Sequence, residues 1–167
     1  MTEWRIGPIT EDEIEELARL HAVSRRDAYR GLVADEHLRR VSEQERIAHW
    51  KERLADDSRL RLVLGAHEPG RLVGFAVATQ DTPRFATLNA MHVHPDRRGA
   101  GIGQLLHDEV LHSMRNWAGV DAQLWVVAGN QRAQAFYRHN GWAEDGTRST
   151  HTIGGGTVEI VRYVQKL

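Results

Sequence analysis

The run Arg97 to Gly103, RRGAGIG, combines the two things an anion site needs, positive charge and bare backbone. Glycines at 99, 101 and 103 remove side chains where main chain must come close to a ligand, so successive N–H groups can point outward at an acceptor. The amphipathic stretch that follows predicts a helix whose dipole adds positive potential at the same place. Arg98, with Arg97 beside it, supplies full charge. A phosphate-bearing ligand is the natural occupant. Two common phosphate loops are excluded by the letters: a nucleotide triphosphatase loop needs Gly-Lys-Ser/Thr where Gln104 and Leu105 follow Gly103, and the dinucleotide fingerprint GxGxxG would need glycine at Gln104 or Leu106. What remains is RxxGxG, matched by Arg98, Gly101 and Gly103. Its place after LNAMHV and before an apolar-periodic helix sets it apart from a plain strand-to-helix turn.

A second stretch, NQRAQAFYRHNGW from Asn130 to Trp142, brings a phenol into play. Asn130 can cap a helix, Ala133, Phe136 and Tyr137 lie on one flank, and Gly141 after Asn140 suits a left-handed terminator. Alone it could be an ordinary capped helix with core aromatics.

Taken together, in this order and separation, the two stretches resemble the GCN5-related N-acetyltransferase (GNAT) family. Its first signature is the RxxGxG loop, between the fourth strand and the third helix. Its second is Asn-xx-Ala-xx-Phe-Tyr-xxx-Gly-Phe, here with Trp142 in place of the usual phenylalanine. The resemblance runs from about Leu60 to the end and is loose in the N-terminal third. It implies acetyl transfer from acetyl-coenzyme A, as co-substrate and without a metal, to a primary amine of a small molecule. Peptide N-terminal or protein lysine acetylation, and a non-catalytic acyl-coenzyme A binding module, stand as alternatives. By position, the resemblance assigns Met91, His92 and Val93 to the pantetheine amides and Arg98, Gly99, Ala100, Gly101, Ile102 and Gly103 to the pyrophosphate. Asn130, Ala133 and Phe136 fall to the pantetheine arm. Tyr137 falls beside the thioester sulfur as general acid, a role that a phenol with a reference pKa near 10 can fill while protonated. The general base is open: the fourth strand, ATLNAMHV, has no carboxylate, so Asn89 through a water and His92 are the candidates. Tyr29 and His151 are the candidates for the acceptor side.

The elements that must position these residues follow from periodicity. Trp4 to Ile9 predicts a strand, and Thr10 with Glu13 a capping box before a helix carrying Ile14, Leu17 and Leu20. A further helical segment after Ser24 carries Ala28, Tyr29, Leu32 and Val33, with a break near Gly31. Ser42 and Glu45 cap a helix with Ile47, Trp50 and Leu54 inward. Leu60 to Ala66 and Leu72 to Thr79 predict a hairpin through Pro69-Gly70, and Ala86 to Val93 the strand that feeds the glycine turn. The helix beyond the turn puts Ile102, Leu105, Leu106, Val110, Met114 and Trp117 on its apolar stripe, leaves His107, Asp108 and Arg115 outside, and ends near Gly119. Leu124 to Val127 predicts a buried strand parallel to its neighbour. Glu144 to Leu167 predicts a hairpin around Gly154-Gly155-Gly156. The resulting fold class is α/β (α+β): a GNAT fold with a mixed, mostly antiparallel sheet of six or seven strands, about four helices, and strands four and five parallel and splayed. In the family such a C-terminal hairpin closes the acceptor side and in some members forms a homodimer interface.

The 167 residues suit one domain, 1–167. With no cysteine there is no thiolate metal site, disulfide or cysteine nucleophile. His92 and His94 could share a strand face, but Pro95 disrupts it and no third ligand is evident. A net charge of −1 gives no pull toward nucleic acid or a membrane surface, and no apolar run or signal segment appears, which predicts a cytoplasmic protein.

Overall fold

A computed structural model describes residues 3–56, 61–117 and 121–167. Its strands are β1 (Arg5–Pro8), β2 (Arg61–Glu68), β3 (Arg71–Gln80), β4 (Phe85–Val93), β5 (Asp121–Val127), β6 (Ala143–Ile153) and β7 (Gly156–Gln165). They form one sheet in the order β1-β2-β3-β4-β5-β7-β6, in which only β4 and β5 run parallel. Among the described residues five helices accompany it: α1 (Ile14–Ala28), α2 (Asp35–Arg39), α3 (Glu43–Ala55), α4 (Ile102–Arg115) and α5 (Gln131–His139). The GNAT-type sheet expected from the sequence is therefore the observed one, with one more short helix. Among the described residues no helix is long and apolar enough to cross a membrane.

The central strands of the sheet are covered on both faces. On one, α4 lays Ile102, Leu106, Val110 and Met114 over Ala76, Ala78, Leu88 and Leu124. On the other, Leu17 and Leu20 of α1 and Trp50 of α3 cover Phe75 and Val77. Both predicted capping boxes form: Glu45 N donates to Ser42 Oγ at 3.1 Å and Ser42 N to Glu45 Oε2 at 2.8 Å. The box at Thr10 and Glu13 opens a 3-10 turn that leads into α1.

Three local expectations are corrected. The further helical segment expected after Ser24 is instead the end of α1, which runs unbroken to Ala28, and Tyr29, Leu32 and Val33 lie outside any helix; Ser24 is buried, with its hydroxyl 3.5 Å from the Val93 carbonyl. On α4, Leu105 is exposed and His107 is buried, the reverse of the predicted stripe. A buried imidazole needs partners, and it has them: Trp142 Nε1 donates to His107 Nε2 at 2.9 Å, which leaves the ring proton on Nδ1, 3.2 Å from Asp108 Oδ1. Finally, α4 stops at Arg115, and Gly119 lies outside the described residues, as does Leu60.

Burial disfavours the charged form of several histidines. It is the largest cause at His107, at His21, held at about 2, and at His92, held at about 4. Below pH about 6.5 the unfolded chain takes up protons that the folded chain refuses, so this contribution to stability is complete above that pH and lost as pH falls toward the folded values. Denaturant melts should thus show stability falling between pH 7 and pH 5 with proton uptake on unfolding; a flat profile would contradict neutral buried rings. Trp142→Phe removes the indole donor and strands His107 Nε2 in the core, which should destabilise by about 1–3 kcal/mol at pH 7 in a urea melt. No measurable loss would show that the pair contributes nothing.

Candidate active site

The ladder between β4 and β5 runs only from Phe85↔Asp121 to Leu88↔Leu124. Beyond that rung β4 stays held to β3 as far as Val93, and β5 to β7 as far as Val127, so each strand is fixed on its outer side while the inner edges part. A bulge marks the point of parting: Val77 faces Ala90 and Ala78 faces Leu88, leaving Asn89 unpaired on β4. The result is a cleft of about 580 Å³ whose walls include the inner edges of both strands, Asn89 to Val93 and Trp125 to Val127.

At one end of the cleft lies the glycine turn. Gly99 and Gly101 have φ of 78° and 89°, a conformation that disfavours side chains, and Gly101 caps α4. Gly103 has no such need. A Cβ there would stand 3.8 Å from Val93 and 4.0 Å from Phe136, ordinary contacts, and would project at the cleft. Arg98 lines the cleft with its guanidinium ion-paired to Asp27 of α1, which fixes it between helix and turn. Arg97 is forked on Glu68 at 3.0 and 2.9 Å, so its charge is already compensated. Ala100 sits exposed at the tip, and Ile102 is a buried core residue whose surface reaches the cleft.

Helix α5 forms the other wall. Asn130 Oδ1 accepts from Ala133 N at 3.2 Å, so the predicted cap is present. Buried Gln134 ties the helix down, donating to the Ala128 carbonyl at 2.7 Å and accepting from the Tyr163 hydroxyl at 3.0 Å. That anchoring turns Asn130, Ala133, Phe136 and Tyr137 to the cleft. The Tyr137 ring rests against Trp142 at 6.0 Å. Burial, and then the neighbouring Tyr29, holds its phenol well above the ordinary tyrosine value. Burial also raises Tyr29, which lines the same cleft, so both phenols stay protonated at neutral pH.

Asn89 and His92 both line the cleft from β4. The Asn89 amide donates to Thr79 Oγ1 at 2.8 Å and to the Thr87 carbonyl at 3.2 Å, which leaves Oδ1 out of both bonds. The His92 ring stacks on Phe75 at 5.3 Å and meets His21 at 5.4 Å. Burial and the charges of Arg25 and Arg98 keep it neutral. His94 does not continue the strand: its ring caps the following 3-10 turn by accepting from Asp96 N. His151 is exposed on β6 and is not among the cleft walls. Trp125 and Arg132 do line the cleft although sequence reasoning passed over them; the first lay in a run read only as core, the second inside a motif read for its other letters.

Beside the cleft-lining Tyr29, α2 packs on the β6–β7 turn. His37 Nδ1 lies 3.0 Å from the Gly154 carbonyl, and Val33, Leu38 and Ile153 form a small core with Tyr29 and Val158. A Cβ at Gly154 would collide with the His37 carbonyl, so this contact requires glycine in the β6–β7 turn.

With this geometry in hand, comparison with known proteins is decisive. The model of the Acetyltransferase (GNAT) family matches residues 17–142. An uncharacterised N-acetyltransferase of Mycobacterium bovis is 33% identical over 118 residues, covering 70% of this chain and 74% of that protein, and counterparts in Mycobacterium tuberculosis match equally. Among solved structures, the PaiA N-acetyltransferase of Thermoplasma acidophilum in complex with coenzyme A superimposes with a TM-score of 0.77 at 20% identity, covering 99% of each chain. A GCN5-related N-acetyltransferase of Rhodopseudomonas palustris gives 0.77 at 19% identity, covering 100% of this chain and 98% of the other. A glycine turn at a helix start, a sheet split at its parallel pair and a family match spanning both lead to one conclusion: this chain belongs to the GNAT family of acetyltransferases.

Proposed function

We propose that the protein transfers an acetyl group from acetyl-coenzyme A to the primary amine of a small molecule, both bound at once in the β4–β5 cleft. The observation that carries this reading is the pair of unsatisfied inner strand edges ending at a positive-φ glycine turn. The main-chain groups of β4 around Met91, His92 and Val93 that turn away from β3 are the ones that take up the amides of a pantetheine arm, as a strand would. The turn from Arg98 to Gly103 offers N–H groups and a helix start to a pyrophosphate. Gly103, where the protein's own interior has room for a methyl group, fits the close approach of such a ligand. Asn130, Ala133 and Phe136 supply the facing wall.

When bound, the thioester supplies an activated acyl group: the amine nitrogen bonds to its carbonyl carbon as the carbon–sulfur bond breaks, and the departing thiolate takes a proton. Tyr137 is the donor of that proton. Its raised pKa keeps the hydroxyl intact throughout the physiological range, and its flank of Phe136 and Trp142 excludes water from the bond being broken. Holding both reactants beside one another supplies much of the acceleration. For the amine's own proton, Asn89 Oδ1 can position a water, and neutral His92 can accept. Because His92 is held at about 4, turnover should follow deprotonation of the amine itself rather than a histidine titration near the ordinary 6.5. Tyr29 frames the acceptor, and the closure of α2 on the β6–β7 turn favours a compact amine over an extended peptide. His151, off the cleft walls, keeps only an outer role on that side.

Two variants test the assignment. Tyr137→Phe should lower kcat by about a hundredfold or more while the affinity for coenzyme A is kept; unchanged turnover would remove the phenol from the chemistry. Gly103→Val should fold with stability altered by less than about 1 kcal/mol, since glycine is the poorer helix residue. Its affinity for coenzyme A in a calorimetric titration should nevertheless collapse, and retained affinity would show that the turn does not grip the ligand.

A further inference from the structure

Behind the cleft, where α1 packs on α3, lies a concentration of arginine that is not among the cleft walls and that acyl transfer does not require. Arg46 on α3 is only 7% exposed, yet among the described residues its guanidinium has no carboxylate and no hydrogen-bond partner. The charges close enough to act on it are cations, Arg25 and Arg26 of α1, and with burial they push its pKa down. Nearby carboxylates are engaged elsewhere: Glu43 with Arg19 at 2.9 Å, and Asp27 with Arg98 and, at 3.8 Å, Arg30. Three like charges side by side, one of them on a largely covered side chain, are unfavourable without a counter-charge.

Position gives the arrangement a purpose. His21, one turn before Arg25 on α1, touches both Trp50, one turn after Arg46 on α3, and His92 on the cleft wall, at 5.6 and 5.4 Å. The charge of Arg25 is felt at His21, Tyr29, His92 and His151, on α1, after it, on β4 and on β6. On α1, Arg25 follows His21, which meets the cleft-wall His92, by one turn and precedes the cleft-lining Tyr29 by one turn, so it stands between them on the same side of the helix without being a cleft wall itself. The glycine turn also reaches α1, through the Arg98–Asp27 ion pair, while His92 stacks on Phe75 in the α1–α3 core.

We infer that the acceptor is a small amine that also carries an anionic group, a carboxylate or a phosphate, which docks on Arg25 with Arg46 behind it. This rests on the transferase reading above. The amine would then enter the cleft past Tyr29 while the anion neutralises the α1–α3 arginines. Selection is by charge: a neutral amine of the same size leaves Arg46 uncompensated.

The test uses the whole chain saturated with coenzyme A. Amino carboxylates from glycine to aminohexanoate are titrated by calorimetry against their matched carboxamides, with phosphoethanolamine against ethanolamine as the phosphate arm. The same pairs then serve as acetyl acceptors with acetyl-coenzyme A. One anionic member should bind and react about ten- to a hundredfold better than its neutral partner, the worth of a charged hydrogen bond. Which arm shows the preference tells carboxylate from phosphate. Arg25→Gln, at a half-exposed position, should bring the ratio close to one with coenzyme A affinity altered less than about twofold. Ratios near one in the unaltered protein, a ratio that survives Arg25→Gln, or a large loss of coenzyme A affinity in that variant would each overturn the proposal. Anion-selective binding without acetyl transfer to any amine would uphold the anion site and count against the transferase reading instead.

Discussion

Everything at this site depends on a ladder that stops. Two parallel strands pair for four rungs, Phe85 to Leu88 against Asp121 to Leu124, and then lose each other, although both remain bound on their outer sides. Backbone N–H and C=O groups inside a fold demand partners, and here a sheet interior has been given two edges. The bulge at Asn89 turns β4 away and removes the register in which the rungs could have continued. In the proposed reading, an elongated ligand with amides of its own would complete what the chain leaves open, with the glycine turn below taking phosphate at one end, and cofactor recognition would be a continuation of sheet formation.

The rest of the molecule holds that split in place. α4 and the α1–α3 pair cover opposite faces, so neither strand can swing to close the gap without opening a core. Gln134, bonded to the Ala128 carbonyl and to Tyr163, pins α5 at the rim, and the His107–Trp142 hydrogen bond ties the end of that helix to α4. Tyr137 lies between these two anchors. Its phenol is thereby held at the cleft wall and kept protonated at neutral pH.

What could be read from the letters was what the backbone itself encodes. RxxGxG and the Asn130-to-Tyr137 pattern name their own conformations, because glycine at positive φ and an asparagine cap mean the same thing wherever they occur. The sheet order and the parallel pair came with the family resemblance. What escaped was decided by distant partners. Leu105 was placed inward and His107 outward because a 3.6-residue period knows hydrophobicity and not hydrogen bonding; the indole of Trp142, 35 residues away, is what lets the imidazole inside. The segment after Ser24 is the continuation of α1, with Ser24 itself buried against the sheet, because tertiary packing overrides a residue that is a weak helix former alone. Arg97 counted as free charge until Glu68 claimed it. Neither Arg25 nor Arg46 lies in any motif, and only the packing of α1 on α3 brings them together.

The central claim is that the parted edges of β4 and β5, together with the glycine turn, form one continuous seat for acyl-coenzyme A. Backbone amide resonances followed during titration with coenzyme A test it most directly. The account predicts coupled shifts confined to Met91 to Val93, Arg98 to Gly103 and the start of α5, saturating together, with pantetheine alone moving only the strand residues. Saturable binding that moves amides elsewhere and leaves both the split and the turn unperturbed would contradict it.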